Sequence, residues 1–82
     1  MTESASTITM YGADWCRDCR RTEALLNDIG VDWTKVDIEA SAEAAAQAQS
    51  ISGRTNIPVV VFGDGSHLVV PSDAAVREKL GV

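Results

Sequence analysis

The only two cysteines of this chain fall three positions apart, in the stretch MYGADWCRDCRRTEALL that runs from Met10 to Leu26. The side-chain pattern changes period at that point. Residues Thr7–Tyr11 (TITMY) alternate β-branched, apolar and aromatic types, as a strand does, and Gly12 ends the run. From about Cys16 to Ile29 the pattern becomes helical. Cys19, Thr22, Leu26 and Ile29 share one face with Leu25 beside them, and Gly30 supplies the stop. The cysteine pair is therefore expected where a first strand hands over to a first helix.

The remaining elements follow in short steps. Val31–Ile38 (VDWTKVDI) reads as a second strand whose alternation slips near Lys35, which suits a sheet edge. Ser41 and Gly53 bracket a run of strong helix formers, AEAAAQAQS, and predict a capped helix. Pro58 opens the continuous apolar run VVVF, a pattern for a strand covered on both faces. Gly63-Asp64-Gly65-Ser66 turns the chain back through His67–Val70. Pro71 then breaks the strand, Ser72 caps, and Asp73–Leu80 form a last helix with Val76 and Leu80 inward. The sum is β-α-β-α-β-β-α. Strands separated by a helix lie parallel through a right-handed crossover, and the last pair, joined by a tight turn, is antiparallel. The expected fold is a single α/β domain over 1–82, a four-stranded mixed sheet with helices on both faces, with residues 1–6 a flexible N-terminus.

Charge and composition narrow the function. At 82 residues the chain is near the lower end of what folds on a hydrophobic core alone. The formal charge of −5 argues against a nonspecific grip on nucleic acid or an anionic membrane. No apolar run is long enough to span a bilayer. The start, MTESASTITMY, lacks the basic and apolar segments of a secretory signal, so a cytoplasmic location is expected. There, C-x-x-C means redox chemistry or half of a metal site. Zinc takes four ligands, and His67 is the one further strong donor, so no self-contained metal site is expected.

Position distinguishes the two sulfurs. Cys16 lies at the helix start, where unpaired N–H groups and the helix dipole favour negative charge. Arg17 and Arg20 add to that field and Asp18 opposes it. Cys19, one turn on and in line with Thr22 and Leu26, is expected to be the more buried sulfur. Cys16 is then the nucleophile and Cys19 the resolving thiol. Arg17, between them, is a candidate substrate contact, while Arg20 and Arg21 fit a solvated helix face equally well. Trp15 suits a docking surface or a half-buried core position. Trp33 suits core or edge packing, His67 the surface, and Tyr11 stays ambiguous. A proline opening a central strand lacks a ladder donor. Either the bond before Pro58 is cis, turning the Ile57 backbone outward with its N–H and C=O unpaired, or a trans proline marks the strand entrance.

Together these residues resemble a glutaredoxin: W-C-x-x-C after a short strand, x-I-P before VVVF, and P-S-D opening the last helix. The similarity runs from about Thr7 to Leu80. VDIE after the second strand, the FGDGS turn and VVPSD resemble more narrowly the mycoredoxin branch of actinobacteria. The resemblance implies the thioredoxin fold with Pro58 in cis. It also implies reduction of mixed disulfides between protein cysteines and a small thiol, mycothiol for that branch, with no tightly bound cofactor. Carried over by position, Cys16 attacks the small-thiol sulfur, and a second small thiol or Cys19 regenerates the enzyme. Ile57 and Pro58 form the backbone docking edge, and Ser72 and Asp73 face the ligand from the last helix. Arg17-Asp18 stands where glutathione-using members usually have Pro-Tyr. Val69-Val70-Pro71 stands where they carry a Gly-Gly pair. The implied partners are a small thiol, proteins carrying mixed disulfides and a flavoprotein disulfide reductase, with the protein acting as a monomer. Two alternatives stay open: a general protein-disulfide reductant recharged by thioredoxin reductase, or a dimer sharing an iron–sulfur cluster through Cys16 of each subunit.

Overall fold

A computed structural model of the chain describes residues 8–82. Thr7 and the expected flexible segment 1–6 lie outside the described residues. The order is β1 (Ile8–Gly12), α1 (Arg17–Ile29), β2 (Trp33–Asp37), α2 (Ala42–Ser52), β3 (Val59–Val61), β4 (His67–Val69) and α3 (Asp73–Leu80). Several boundaries differ from those expected by one or two residues. Gly12 is the last residue of β1 rather than its stop, and Cys16 is the N-cap of α1 rather than its first turn. β2 is trimmed at both ends, β3 stops before Phe62, and β4 stops before Val70. Val70 leaves the strand because its backbone takes φ 45°, a conformation a β-branched residue rarely adopts.

The four strands form one sheet in the order β2-β1-β3-β4. β1 and β2 are parallel, while β1–β3 and β3–β4 are antiparallel. β2 is an edge strand, and β3 is central, as its unbroken valines imply. The register sorts side chains onto two faces. Ile8 and Met10 align with Val60 and Leu68 and pack with Leu25, Leu26 and Val76, so α1 and α3 cover this face. On the other, Tyr11 aligns with Val59 and Val69, and α2 lies against the sheet with Ala44 and Ala48 buried.

Each helix is held by local chemistry at its ends. Ser41 Oγ accepts the N–H of Ala44 at 3.2 Å and Ser72 Oγ that of Ala75 at 3.1 Å, satisfying donors the helices leave unpaired. All three helices end on a glycine in the left-handed conformation. Trp33 is half-buried at the edge and donates its indole N–H to Asn27 Oδ1 at 2.8 Å. Among the described residues no helix is long and apolar enough to cross a membrane.

Candidate active site

β1 is parallel to β2 and runs straight into a four-residue connection, 13–16, that ends in the cap of α1. The connection is braced by the Cys16 N–H donating to the Ala13 carbonyl at 3.2 Å. In place of the usual hydroxyl or carboxylate, a sulfur caps α1: Cys16 Sγ accepts the Cys19 N–H at 3.2 Å. Cys16 is 7% exposed and Cys19 0%, so the more deeply buried sulfur is the one the helical face identified. Both are free thiols.

Cys19 sits on a floor made by Gly12. A Cβ at that position would lie 2.8 Å from Cys19 Sγ and 3.2 Å from Met10 Cε. The second sulfur can pack this closely only because the end of β1 carries no side chain. Burial, then the hydrogen bond with Cys16, pushes the Cys19 thiol up to about 12.

The third wall is the segment before β3. The Ile57–Pro58 bond is cis, which decides between the two sequence readings. The Ile57 carbonyl is not unpaired as expected, since it accepts the Cys16 S–H at 3.8 Å. Pro58 is buried, and its carbonyl accepts the Val70 N–H at 2.8 Å, so the proline segment is fastened to the end of β4.

Around this centre the charges fall into two groups. Arg17 and Arg20 are exposed on the first turn of α1, and Trp15 is 64% exposed, which places it outside the core. Arg21 is exposed as well, but its head group is tethered. Its guanidinium donates to Asp18 Oδ1 at 2.8 Å and to the Pro71 carbonyl at 3.1 Å, and lies 3.6 Å from Asp73 Oδ1. It thereby ties α1 to the start of α3, where Ser72 and Asp73 stand. Lys35, where the alternation of β2 slips, points toward α1 and joins Asp14, ahead of Trp15, to Glu23 at 3.0 Å. The hydrogen bond to Asp14 and the neighbouring charge of Glu23 hold Lys35 protonated well above its ordinary range, and the same bond to Lys35 keeps the Asp14 carboxyl below its own. His67 is exposed and Tyr11 half-buried on the α2 side of the sheet.

The structure brings Cys16, Cys19, Ile57 and Pro58 together, and the sequence reading missed what Gly12, Arg21 and Lys35 do. The i,i+3 spacing of Asp18 and Arg21 was the available signal for that pair. The reach of Arg21 to Pro71 crosses 50 positions of sequence and leaves none.

Comparison with known proteins matches this geometry. The glutaredoxin family profile covers residues 8–68. A candidate glutaredoxin of Mycobacterium tuberculosis is 36% identical over 76 residues, covering 92% of this chain and 90% of that protein. Mycoredoxin 1 of Corynebacterium glutamicum is 32% identical over 77 residues, covering 92% and 94%. The crystal structure of a methanoredoxin from Methanosarcina acetivorans superposes with a TM-score of 0.84 at 27% identity, covering 95% of this chain and 87% of that one.

Proposed function

This chain belongs to the glutaredoxin family of thiol–disulfide oxidoreductases, and from that premise we propose that it reduces mixed disulfides between protein cysteines and mycothiol, with Cys16 as nucleophile and Cys19 as resolving thiol. The observation that carries the assignment of roles is the asymmetry of the pair. Cys16 Sγ stands at the N-terminus of α1, facing the Ile57 carbonyl, while Cys19 is sealed beneath it against Gly12. A sulfur anion at the first position meets the Cys19 N–H and the positive end of the helix dipole. The likeness to mycoredoxin 1 supports mycothiol as the small thiol.

In the first step the Cys16 thiolate attacks the mycothiol sulfur of the mixed disulfide. A Cys16–mycothiol disulfide forms and the protein substrate leaves as its thiolate. A second mycothiol then attacks the sulfur of the bound one, giving mycothiol disulfide and freeing Cys16 as its thiolate. Alternatively, Cys19 attacks the Cys16 sulfur, closing the Cys16–Cys19 disulfide and releasing mycothiol as its thiolate. The substrate peptide docks along Ile57 and Pro58, beside the exposed Trp15 and Arg17. Ser72 and Asp73, held at the start of α3 by the Arg21 tether, face the small thiol. The enzyme works as a monomer in the cytoplasm, and a flavoprotein disulfide reductase keeps the small thiol reduced.

Turnover of a mycothiol-mixed disulfide by Cys16→Ser and Cys19→Ser variants tests this. Cys16→Ser is expected to abolish turnover and Cys19→Ser to leave much of it. Equal loss in both would replace the reading with obligatory dithiol chemistry. Rapid reduction of the wild-type protein by thioredoxin reductase alone, with no small thiol, would replace mycothiol as the electron source.

A further inference from the structure

Cys19 presents a chemical difficulty. To close on Cys16 it must lose a proton, yet it is wholly buried on Gly12, and its sulfur is held in the neutral form. A buried thiol of this kind needs an acceptor close by, because water does not reach it.

The turn that follows Cys19 contains one. Among the described residues, two buried side-chain oxygens have no aligned hydrogen-bond partner, Thr22 Oγ1 and Glu23 Oε2, and both lie within four positions of Cys19. Glu23 is at i+4 from Cys19, so the two side chains are neighbours on the surface of α1. Lys35 Nζ approaches Glu23 Oε2 to 3.0 Å as a counter-charge, out of hydrogen-bond alignment, and leaves the oxygen an open acceptor position. Lys35 in turn meets Asp14, whose side chain is 85% exposed. A chain of charges thus runs from solvent to a buried carboxylate oxygen on a side chain one helical turn from the second sulfur. The other charged or titratable groups nearby are Cys16 and Arg20 on the same helix, and Arg20 is exposed. The negative charge of Glu23 acts on Cys19 in the sense required of a neighbour, disfavouring the thiolate until a proton has been taken up.

We infer that Glu23, held by Lys35, is the base that accepts the Cys19 proton when Cys19 closes on Cys16; this rests on the roles proposed above for the two cysteines. In that step the Cys19 S–H proton passes to the Glu23 carboxylate and the Cys19 sulfur attacks the Cys16 sulfur of the mixed disulfide. The Cys16–Cys19 bond forms, and the bond from Cys16 to the small thiol breaks. The small thiol leaves with the electron pair as a thiolate. Cys19 has been oxidised to the disulfide, Cys16 stays at that level, and the small thiol has been reduced. Glu23 then gives its proton up to solvent or to the departing thiolate.

The test mixes reduced protein with mycothiol disulfide, quenches with acid, and counts mixed and internal disulfides by mass spectrometry. Glu23→Gln is expected to form the Cys16 mixed disulfide at the wild-type rate and to convert it to the internal disulfide on the order of a hundredfold more slowly at pH 7. The deficit should close as the pH is raised and hydroxide takes over. Conversion at the wild-type rate overturns the inference. Lys35→Met, which removes the counter-charge and keeps the carboxylate, is expected not to slow conversion. Equal slowing in Glu23→Gln and Lys35→Met assigns the ion pair a structural role and also overturns it. Should Glu23→Gln not fold, Glu23→Asp carries the test: the carboxylate is drawn back by one methylene, and an unchanged rate overturns the inference. If no mixed disulfide forms on Cys16 in the wild type, it is the proposed cysteine roles that fail instead.

Discussion

The two faces of the sheet are built from different materials. On the α1 and α3 side, Ile8, Met10, Leu25, Leu26, Val60, Phe62 and Val76 fill a continuous apolar layer, and both cysteines belong to it. On the α2 side the helix buries only Ala44 and Ala48, and short methyl groups let its backbone approach the sheet. The first face is held by the volume of its side chains, the second by helix propensity and by caps at Ser41 and Gly53. The chemistry resides on the face where packing is least forgiving, and this is how two sulfurs keep a fixed relation to Gly12 and Ile57.

Truncation on the dense face should cost most. Leu26 is wholly buried, and Leu26→Ala is expected to lower stability by about 2–5 kcal/mol, read from the urea unfolding midpoint. A cost near 1 kcal/mol would mean that the two faces are equally plastic. Alkaline pH should reveal the same face through Cys19. The folded chain holds that proton more tightly than the unfolded chain, so its contribution is whole below about pH 9 and is lost as pH climbs toward about 12. Thermal unfolding scans from pH 8 to 11 should show a decline that Cys19→Ala removes. An identical decline in both proteins would locate the alkaline sensitivity elsewhere. The smallest effect is expected on the thin face. Ala48→Gly should cost about 1 kcal/mol, the helix-propensity difference, and leave turnover intact. A much larger loss would show that α2 is held by packing after all.

Much of this arrangement was legible because it is local. The change of period at Cys16, the serines ahead of α2 and α3, and the glycines after α1 and α2 are decisions made within a few residues. So was the order of the cysteines, since the helical face alone put Cys19 inward. Lys35 was visible only as an irregularity in β2. That it points inward to Glu23 and Asp14 depends on α1 lying over β2, which no short window contains. Arg21 looked like one of three arginines on a solvated turn, and its tether to Pro71 exists only once α3 has docked. For Trp15 the sequence allowed core or surface with equal ease, because one aromatic beside a helix cap has no period to read.

The bare floor beneath the second sulfur makes the history of substitutions matter. While Cys19 is present, a Cβ at position 12 would stand 2.8 Å from its sulfur, so that buried atom or the strand end must shift. Once Cys19 has become alanine, the tightest obstruction is gone, and the next contacts, at 3.2 and 3.3 Å, ask only for a slight yielding. The two positions are therefore coupled: a methyl group at position 12 is expected to be far better tolerated beside alanine at position 19 than beside Cys19.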